Sequence, residues 1–358
     1  MDVINVCMPG HIEPYDSYSL LAIELSKGLT RQGAYVNMFS MGDRQRDTQC
    51  PETAAIVNQP IRPAYGAIFL GYPTGYKDHA NPLVAYGPRL AISMFESSKI
   101  HPDWIAPLNS MDAVIVPSQF CLDVFRACGV TAPIHVVPLG ISETYQPWLR
   151  PYRTPFTFLA WMDRGKRKGG FHALKAFSLA FGDDPDVRLI LKARDNVTGF
   201  TVGNGNIQLI AHDMTEAELY ELFKSADCLV NPNLGEGFGL VPREFAATGG
   251  ISLATNWSGT ADDIELWGWP IPYTLKPADW RGIKKFQGID LGDWAEPDVN
   301  ELAGLMRDVV AHQETYRVQA LLQAKSIHKL YSWRRFTTAV YEIWREAAYA
   351  RCPALEVV

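Results

Sequence analysis

Glu236-Gly237-Phe238-Gly239-Leu240-Val241-Pro242-Arg243-Glu244 sets a glycine-punctuated loop between an apolar run and a helical pattern, with a carboxylate at each end. Upstream, Cys228-Leu229-Val230 reads as a short buried strand. Downstream, Pro242 fits the first turn of a helix, where its missing N–H costs nothing. Backbone N–H groups around Gly237, Gly239 and Leu240 then point outward at a helix N-terminus, where unpaired donors and the helix dipole favour an anion such as a diphosphate. Glu244, one turn into the helix, can accept hydrogen bonds from a ribose diol, and Glu236, in the loop, from sugar hydroxyls. An ordinary β-to-α turn with two solvated glutamates fits the same nine residues.

A second stretch narrows the choice. Phe156 to Trp161 is an apolar strand, and Met162 to Gly170 follows with Arg164, Lys166, Arg167 and Lys168 among three glycines before the helical pattern of Phe171 to Phe181. A run of charge usually lies on a solvated face. These cations, however, occupy a strand-to-helix loop at the carboxyl end of a strand, where open α/β sheets bind ligands. A flexible Lys suits a phosphate as a point charge, and an Arg suits it as a bidentate partner.

Outward from these loops, the chain alternates strand and helix patterns, which implies parallel sheets with crossover helices. In the first half, strands are expected at Val3 to Met8, Tyr35 to Phe39, Ala67 to Gly71, Leu90 to Met94, Ala113 to Val116 and His135 to Val137. Leu21, Leu25 and Leu29 form one stripe of a first helix, with Gly33 as its C-terminal stop. The chain turns polar and Pro-rich around Glu143 to Pro155, the expected linker. Strands resume at Phe156, Val187 to Leu191, Ile207 to Ile210, Cys228 to Val230 and Ile251 to Ala254. Thr215 to Glu218 is a capping box. Trp267 to Trp294, with four tryptophans and little periodicity, reads as an ordered insertion near the edge of the site, and Trp333 to Tyr349 as a long amphipathic helix. Ser97 or Ser98 can cap a helix start.

Composition bounds the class. The 358 residues suffice for two domains with separate cores, at 47% hydrophobic and 20% charged. No apolar run approaches the ~20 residues that span a bilayer, and Met1-Asp2-Val3 lacks a basic leader, so a cytoplasmic protein is expected. The six cysteines have no C-x-x-C spacing; the surroundings of Cys7, Cys121 and Cys228 suggest small buried residues. Scattered histidines give no metal motif, and a net charge of −6 argues against broad nucleic-acid binding.

Taken together, the cation loop and the Glu236 to Glu244 spacing resemble the retaining GT-B glycosyltransferases of family 4. Met94-Phe-Glu-Ser97, Trp104 to Asn109, Val116-Pro-Ser118, Val137-Pro-Leu-Gly140, Asn256-Trp-Ser-Gly259, Trp294-Ala-Glu-Pro297 and Tyr331-Ser-Trp333 extend the resemblance in order along the chain. It implies two Rossmann-like doubly wound domains facing a cleft: an acceptor domain over 1–150, onto which a helix at about 334–358 packs back, and a donor domain over 151–333. Donor binding is expected to draw the first half closed. It further implies a metal-independent hexosyl- or pentosyltransferase that retains anomeric configuration. No cofactor is expected, the co-substrate being a UDP- or GDP-sugar. The acceptor class stays open between a glycan, a lipid-linked saccharide and a modified nucleic-acid base. Lys168 with Arg164 or Arg167 would hold the donor diphosphate, Glu236 the transferred sugar and Glu244 the ribose. Gly10, Gly237, Phe238, Gly239, Leu240, His212 and Met214 are expected among the donor contacts. His11, Tyr15, Asp16 and Glu96 are expected near the acceptor, Asp16 or Ser17 being alternatively a helix cap.

Two departures stand out: Met162 and Asp163 replace the Arg that many members place directly after the strand, and Gly10 stands where a glycine pair is common. A sugar-nucleotide epimerase of the same fold and a catalytically silent nucleotide-sugar binder are the alternatives; a glucan phosphorylase would need a far longer chain. Were a metal required, Asp262 and Asp263 would be the first candidate ligands.

Overall fold

The computed structural model describes residues 2–8, 17–40, 51–73, 76, 87–162, 166–194 and 205–351. Two compact units divide the chain. One comprises 1–95, 99–140 and 332–358, the other 96–98 and 141–331.

The first unit is a six-stranded parallel sheet in the order β2-β1-β3-β4-β5-β6. Its strands are β1 (Val3–Met8), β2 (Tyr35–Ser40), β3 (Gly66–Leu70), β4 (Arg89–Ile92), β5 (Ala113–Val116) and β6 (Ile134–Val136), crossed by α1 (Ser17–Arg31), α2 (Pro51–Asn58), α3 (Ile105–Asn109) and α4 (Gln119–Ala127). The inner strands β3 and β5 are short apolar runs buried on both faces, as a sheet covered by helices on each side requires, whereas the outer strands β2 and β6 are only partly buried. In α1, Leu21, Leu25 and Leu29 are buried, and Gly33 stops the helix at φ +91°. The helix Trp333–Arg351 belongs to this unit and lies against α1, where Gly28 leaves no room beside Thr337.

The second unit carries a parallel sheet in the order β12-β11-β10-β7-β8-β9. Its strands are β7 (Phe156–Trp161), β8 (Val187–Ala193), β9 (Ile207–Ala211), β10 (Cys228–Asn231), β11 (Ile251–Thr255) and β12 (Trp269–Ile271). The crossover helices are α5 (Gly170–Phe181), α6 (Glu216–Ser225) and α7 (Leu240–Ala247), joined by α8 (Val299–Ala311) and α9 (Gln313–Leu330). The Thr215/Glu218 capping box opens α6. Between β12 and α8, β13 (Tyr273–Pro277) pairs antiparallel with β14 (Asp293–Pro297), so the tryptophan-rich stretch is a hairpin with a long excursion between its strands. The core gathers Phe158, Phe177, Leu189, Leu191, Val230, Leu253 and Met306.

At the base of this unit, Asp227 is fully buried, its Oδ1 2.9 Å from Arg317 Nη2 and its Oδ2 accepting from the Thr157 N–H. Arg150 donates to the carbonyls of Ala226, Thr248 and Phe223, which seals residues that follow the unit boundary onto the sheet. What positions the site is the strand order. From β7 the sheet grows through β8 and β9 in one direction and through β10 and β11 in the other. The loops after β7 and β10 therefore flank the switch point, the crevice where open α/β sheets take ligands.

Candidate active site

Strands β7 and β10 are direct neighbours, Ala160 opposite Val230. The loops leaving their carboxyl ends are stitched together, Leu234 N–H donating to the Arg167 carbonyl at 2.8 Å. Gly169 turns the first loop into α5 in the left-handed conformation (φ +74°). A side chain there would strike the Pro232 carbonyl, so only glycine lets the loops close to this distance.

The closure brings opposite charges together. Lys168 Nζ lies 2.7 Å from Glu236 Oε1, and Arg167 Nη1 lies 3.2 Å from Glu236 Oε2 and donates to the Gly235 carbonyl at 2.8 Å. Arg167 Nη2 is 3.7 Å from Glu96 Oε1. Lys166 instead faces outward to Asp279 at 3.5 Å. Glu236 is only 9% exposed. Burial opposes its charge, but Lys168 and Arg167 outweigh burial and hold its carboxyl below the ordinary glutamate value.

Glu244, on α7, is 5% exposed, yet among the described residues no hydrogen-bond or ion-pair partner meets its carboxyl group. Burial, with a smaller contribution from Glu216, pushes its pKa up to about 8. A buried carboxyl with unused acceptor capacity is the feature a diol would complete.

The frame between the two glutamates is Arg243, which is 1% exposed. Its guanidinium donates to the carbonyls of Phe238, Gly239 and Gly259 and pairs with Asp263. It also sits 4.2 Å from the Phe238 ring centroid and 4.8 Å from that of Trp267. Ser258, held at φ +63°, accepts from the Glu236 N–H at 2.9 Å, and Gly259 N–H donates back to the Glu236 carbonyl. Gly239, three residues after Glu236, caps α7 at φ +80° and offers no side-chain cap to the first N–H groups of the helix.

Of the residues singled out in the sequence, the structure thus gathers Lys168, Arg167, Glu236, Gly237, Phe238, Gly239, Leu240, Glu244 and Glu96 within the second unit. His212 and Met214 lie beyond β9, just before α6, whose Glu216 is close enough for its charge to act on Glu244. Arg164, Gly10, His11, Tyr15 and Asp16 lie outside the described residues. Ser97 and Ser98 cap no helix: the next helical turn, at Pro102–Trp104, is capped by His101, and both serines have long-range partners instead. Asp263 is committed to Arg243 and to Trp267 Nε1 rather than free for a metal. Among the described residues, no group of three or more His, Cys, Asp or Glu side chains could hold a metal ion, and no helix is long and apolar enough to cross a membrane.

Three features escaped the sequence reading. Arg243 is one. Lys192 is another: buried at the end of β8, it donates to the carbonyls of Ala193 and His212 and so fixes the loop that carries Met214. Asn231 and Asn233, buried at the end of β10, keep amide atoms without partners among the described residues; two asparagines closing an apolar strand at a switch point were the available signal.

Comparison with known proteins agrees with this architecture. Sucrose-phosphate synthase from Thermosynechococcus elongatus superposes with a TM-score of 0.71 at 16% identity, covering 98% of this chain and 100% of that one. The fold is that of the GT-B glycosyltransferases. WaaG, a glycosyltransferase involved in lipopolysaccharide biosynthesis, gives a TM-score of 0.65 at 12% identity over 95% of this chain and 99% of that one. In sequence, the D-inositol 3-phosphate glycosyltransferase of Paenarthrobacter aurescens (strain TC1) is 26% identical over 239 residues, covering 60% of this chain and 52% of that protein. The chain thus spans about half the length of this relative. No protein-family model matches the chain.

Proposed function

We propose that this GT-B protein is a family 4 glycosyltransferase that moves a sugar from a UDP- or GDP-sugar to an acceptor hydroxyl with retention of configuration. The observation that carries the reading is the pairing of Arg167 and Lys168 with Glu236 at the switch point, with Glu244 on α7 buried and without a partner among the described residues. The second unit would bind the donor, and the first the acceptor.

In such a transfer the reacting sugar becomes oxocarbenium-like while negative charge builds on the departing diphosphate. On this reading Lys168, Arg167 and the N–H groups at the start of α7 would meet that charge, and fixed cations and dipoles are most effective against charge that grows in the transition state. Glu236, ionised and anchored by its backbone, orients sugar hydroxyls; it is not assigned as a nucleophile, and the diphosphate oxygen takes the acceptor proton. Glu244 receives the ribose diol. The two cations supply charge that a divalent ion would otherwise bring, so transfer is expected to be metal-independent.

A thermal-shift panel of nucleotide sugars, followed by donor-turnover assays, tests this reading. A cognate donor at about 100 times its Kd should stabilise the protein by about 2.7 kcal/mol and be turned over with full activity in excess EDTA. Stabilisation by no UDP- or GDP-sugar would refute the assignment. An absolute Mg²⁺ or Mn²⁺ requirement would refute the metal-independent mechanism, and release of free nucleotide without acceptor would favour an epimerase.

A further inference from the structure

Glu96 follows β4 in sequence, yet the segment Glu96–Ser98 belongs to the second unit, and the contacts that hold it come from nearly two hundred residues downstream. The Trp280 indole N–H donates to Ser97 Oγ at 2.6 Å, where Ser97 is 0% exposed. Asp293 N–H donates to Ser98 Oγ at 2.7 Å, and Ser98 N–H donates to the Asp293 carbonyl at 3.2 Å. Both partners belong to the β13–β14 hairpin and its excursion. Trp280 is itself wedged against Phe286 and Trp294, with ring centroids 5.2 and 4.8 Å away. On the other side, the Glu96 carbonyl presses on Gly235, where any side chain would collide with it.

The same excursion also reaches the cation loop through Asp279 and Lys166, 3.5 Å apart. Lys285, another of its residues, is near enough to Glu96 for the carboxylate to oppose the effect of burial on its ammonium. The backbone that carries Glu96 is therefore held from both sides, and its carboxylate lies 3.7 Å from Arg167. Arg167 is thus shared between Glu236 and Glu96, and an arriving diphosphate must compete with both.

We infer that Trp280 is a positioning residue: through Ser97 it locks Glu96 onto Arg167, so that this guanidinium is restrained between two carboxylates rather than free to collapse onto one anion. The inference rests on the reading of Arg167 and Lys168 as a phosphate grip. A buried hydroxyl deprived of its donor no longer fixes its backbone, and a loosened Glu96 neutralises Arg167 less.

The test is calorimetric titration of the full chain with inorganic pyrophosphate. Glu96→Gln removes the restraining charge and should tighten pyrophosphate binding about threefold. Trp280→Phe, which keeps the ring and loses the N–H, should tighten it in the same direction while lowering nucleotide-sugar kcat, and the double variant should bind no tighter than Glu96→Gln alone. Ser97→Ala is expected to reproduce Trp280→Phe if the latter folds poorly. A merely structural tryptophan would weaken anion binding or leave it unchanged, and either result, or full additivity with Glu96→Gln, overturns the inference. Failure of the wild-type protein to bind pyrophosphate at all would instead refute the phosphate grip, and the inference with it.

Discussion

Glu236 and Glu244 stand at the two ends of one nine-residue stretch, both nearly closed off from water at 9% and 5% exposure, and their electrostatics are opposite. Glu236 has two cations within 3.2 Å and an anchored backbone, and its carboxyl is held below the ordinary value. Glu244 is buried to a similar degree with no cation paired to it among the described residues, and its pKa rises to about 8. Burial alone therefore does not set protonation; the partners brought by neighbouring strands decide it. Near neutral pH the stretch presents one fixed anion and one carboxyl poised to release a proton, which suits a sugar on one side and a ligand-dependent contact on the other.

The contrast depends on Arg243, whose four polar partners hold the loop between the glutamates. Arg243→Met should break it at both ends. Removing one member of a buried ion pair costs about 3–5 kcal/mol, so denaturant unfolding should show a loss of that order. Loss of donor binding should accompany it, because the Phe238 and Gly239 carbonyls would be left without a donor. A variant as stable as the parent would mean that the guanidinium is not the frame of the loop.

Glu244→Gln should sharpen the contrast with an effect of opposite sign. The Glu244 carboxyl has a pKa of about 8 in the folded chain, against 4.5 for the ordinary side chain. Between these values the folded state holds a proton that the unfolded state has lost, so stability falls as pH rises through the window. Gln titrates nowhere, so its advantage over the parent should be near zero at pH 4.5 and grow to about 3 kcal/mol by pH 7. Melting both proteins from pH 4.5 to 8 checks this. A constant difference across the range would show that Glu244 is ionised in the folded protein.

The strands were legible because each is a brief apolar run bounded by turns, and both loops were legible as ligand loops because they leave the carboxyl ends of strands; that β7 and β10 are neighbours, which sets Lys168 against Glu236, was not. Long-range polar partners were not legible. Arg243 reads in sequence as an ordinary helix cation, and only Phe238, Trp267 and Tyr331, gathered from separate elements, make a buried site for it. Ser97 and Ser98 are residue types that cap helices, which suggested that role; their partners, Trp280 and Asp293, lie 183 and 195 residues away. Strand β12 and the β13–β14 hairpin were hidden because Pro270, Pro272 and Pro277 interrupt any alternation that would mark them.

Lys168→Ala probes the charged end alone. Loss of a fixed donor aimed at developing negative charge typically costs about 10²-fold in rate, and kcat for transfer should fall by about that factor with the fold intact. Unchanged kinetics would remove Lys168 from the site and leave its contact with Glu236 a structural ion pair.

The smallest effect separates the two glutamates by role. Ribose contacts are similar in ground and transition states, so Glu244→Ala should weaken nucleotide binding by about tenfold with little change in kcat, whereas Glu236→Ala should reduce kcat by about tenfold or more with a smaller change in affinity. Proton counting refines the distinction. A diol that donates hydrogen bonds to Glu244 favours its ionised form, so nucleotide-sugar binding to the parent should release a fraction of a proton at pH 7 and tighten as pH rises towards 8. Calorimetry in two buffers of different ionisation enthalpy measures that release directly. It should persist in Glu236→Ala, because that carboxyl is already ionised, and disappear in Glu244→Ala. Equal loss of affinity in both variants, or proton release that survives without Glu244, would show that the two ends of the stretch do not divide the donor between them.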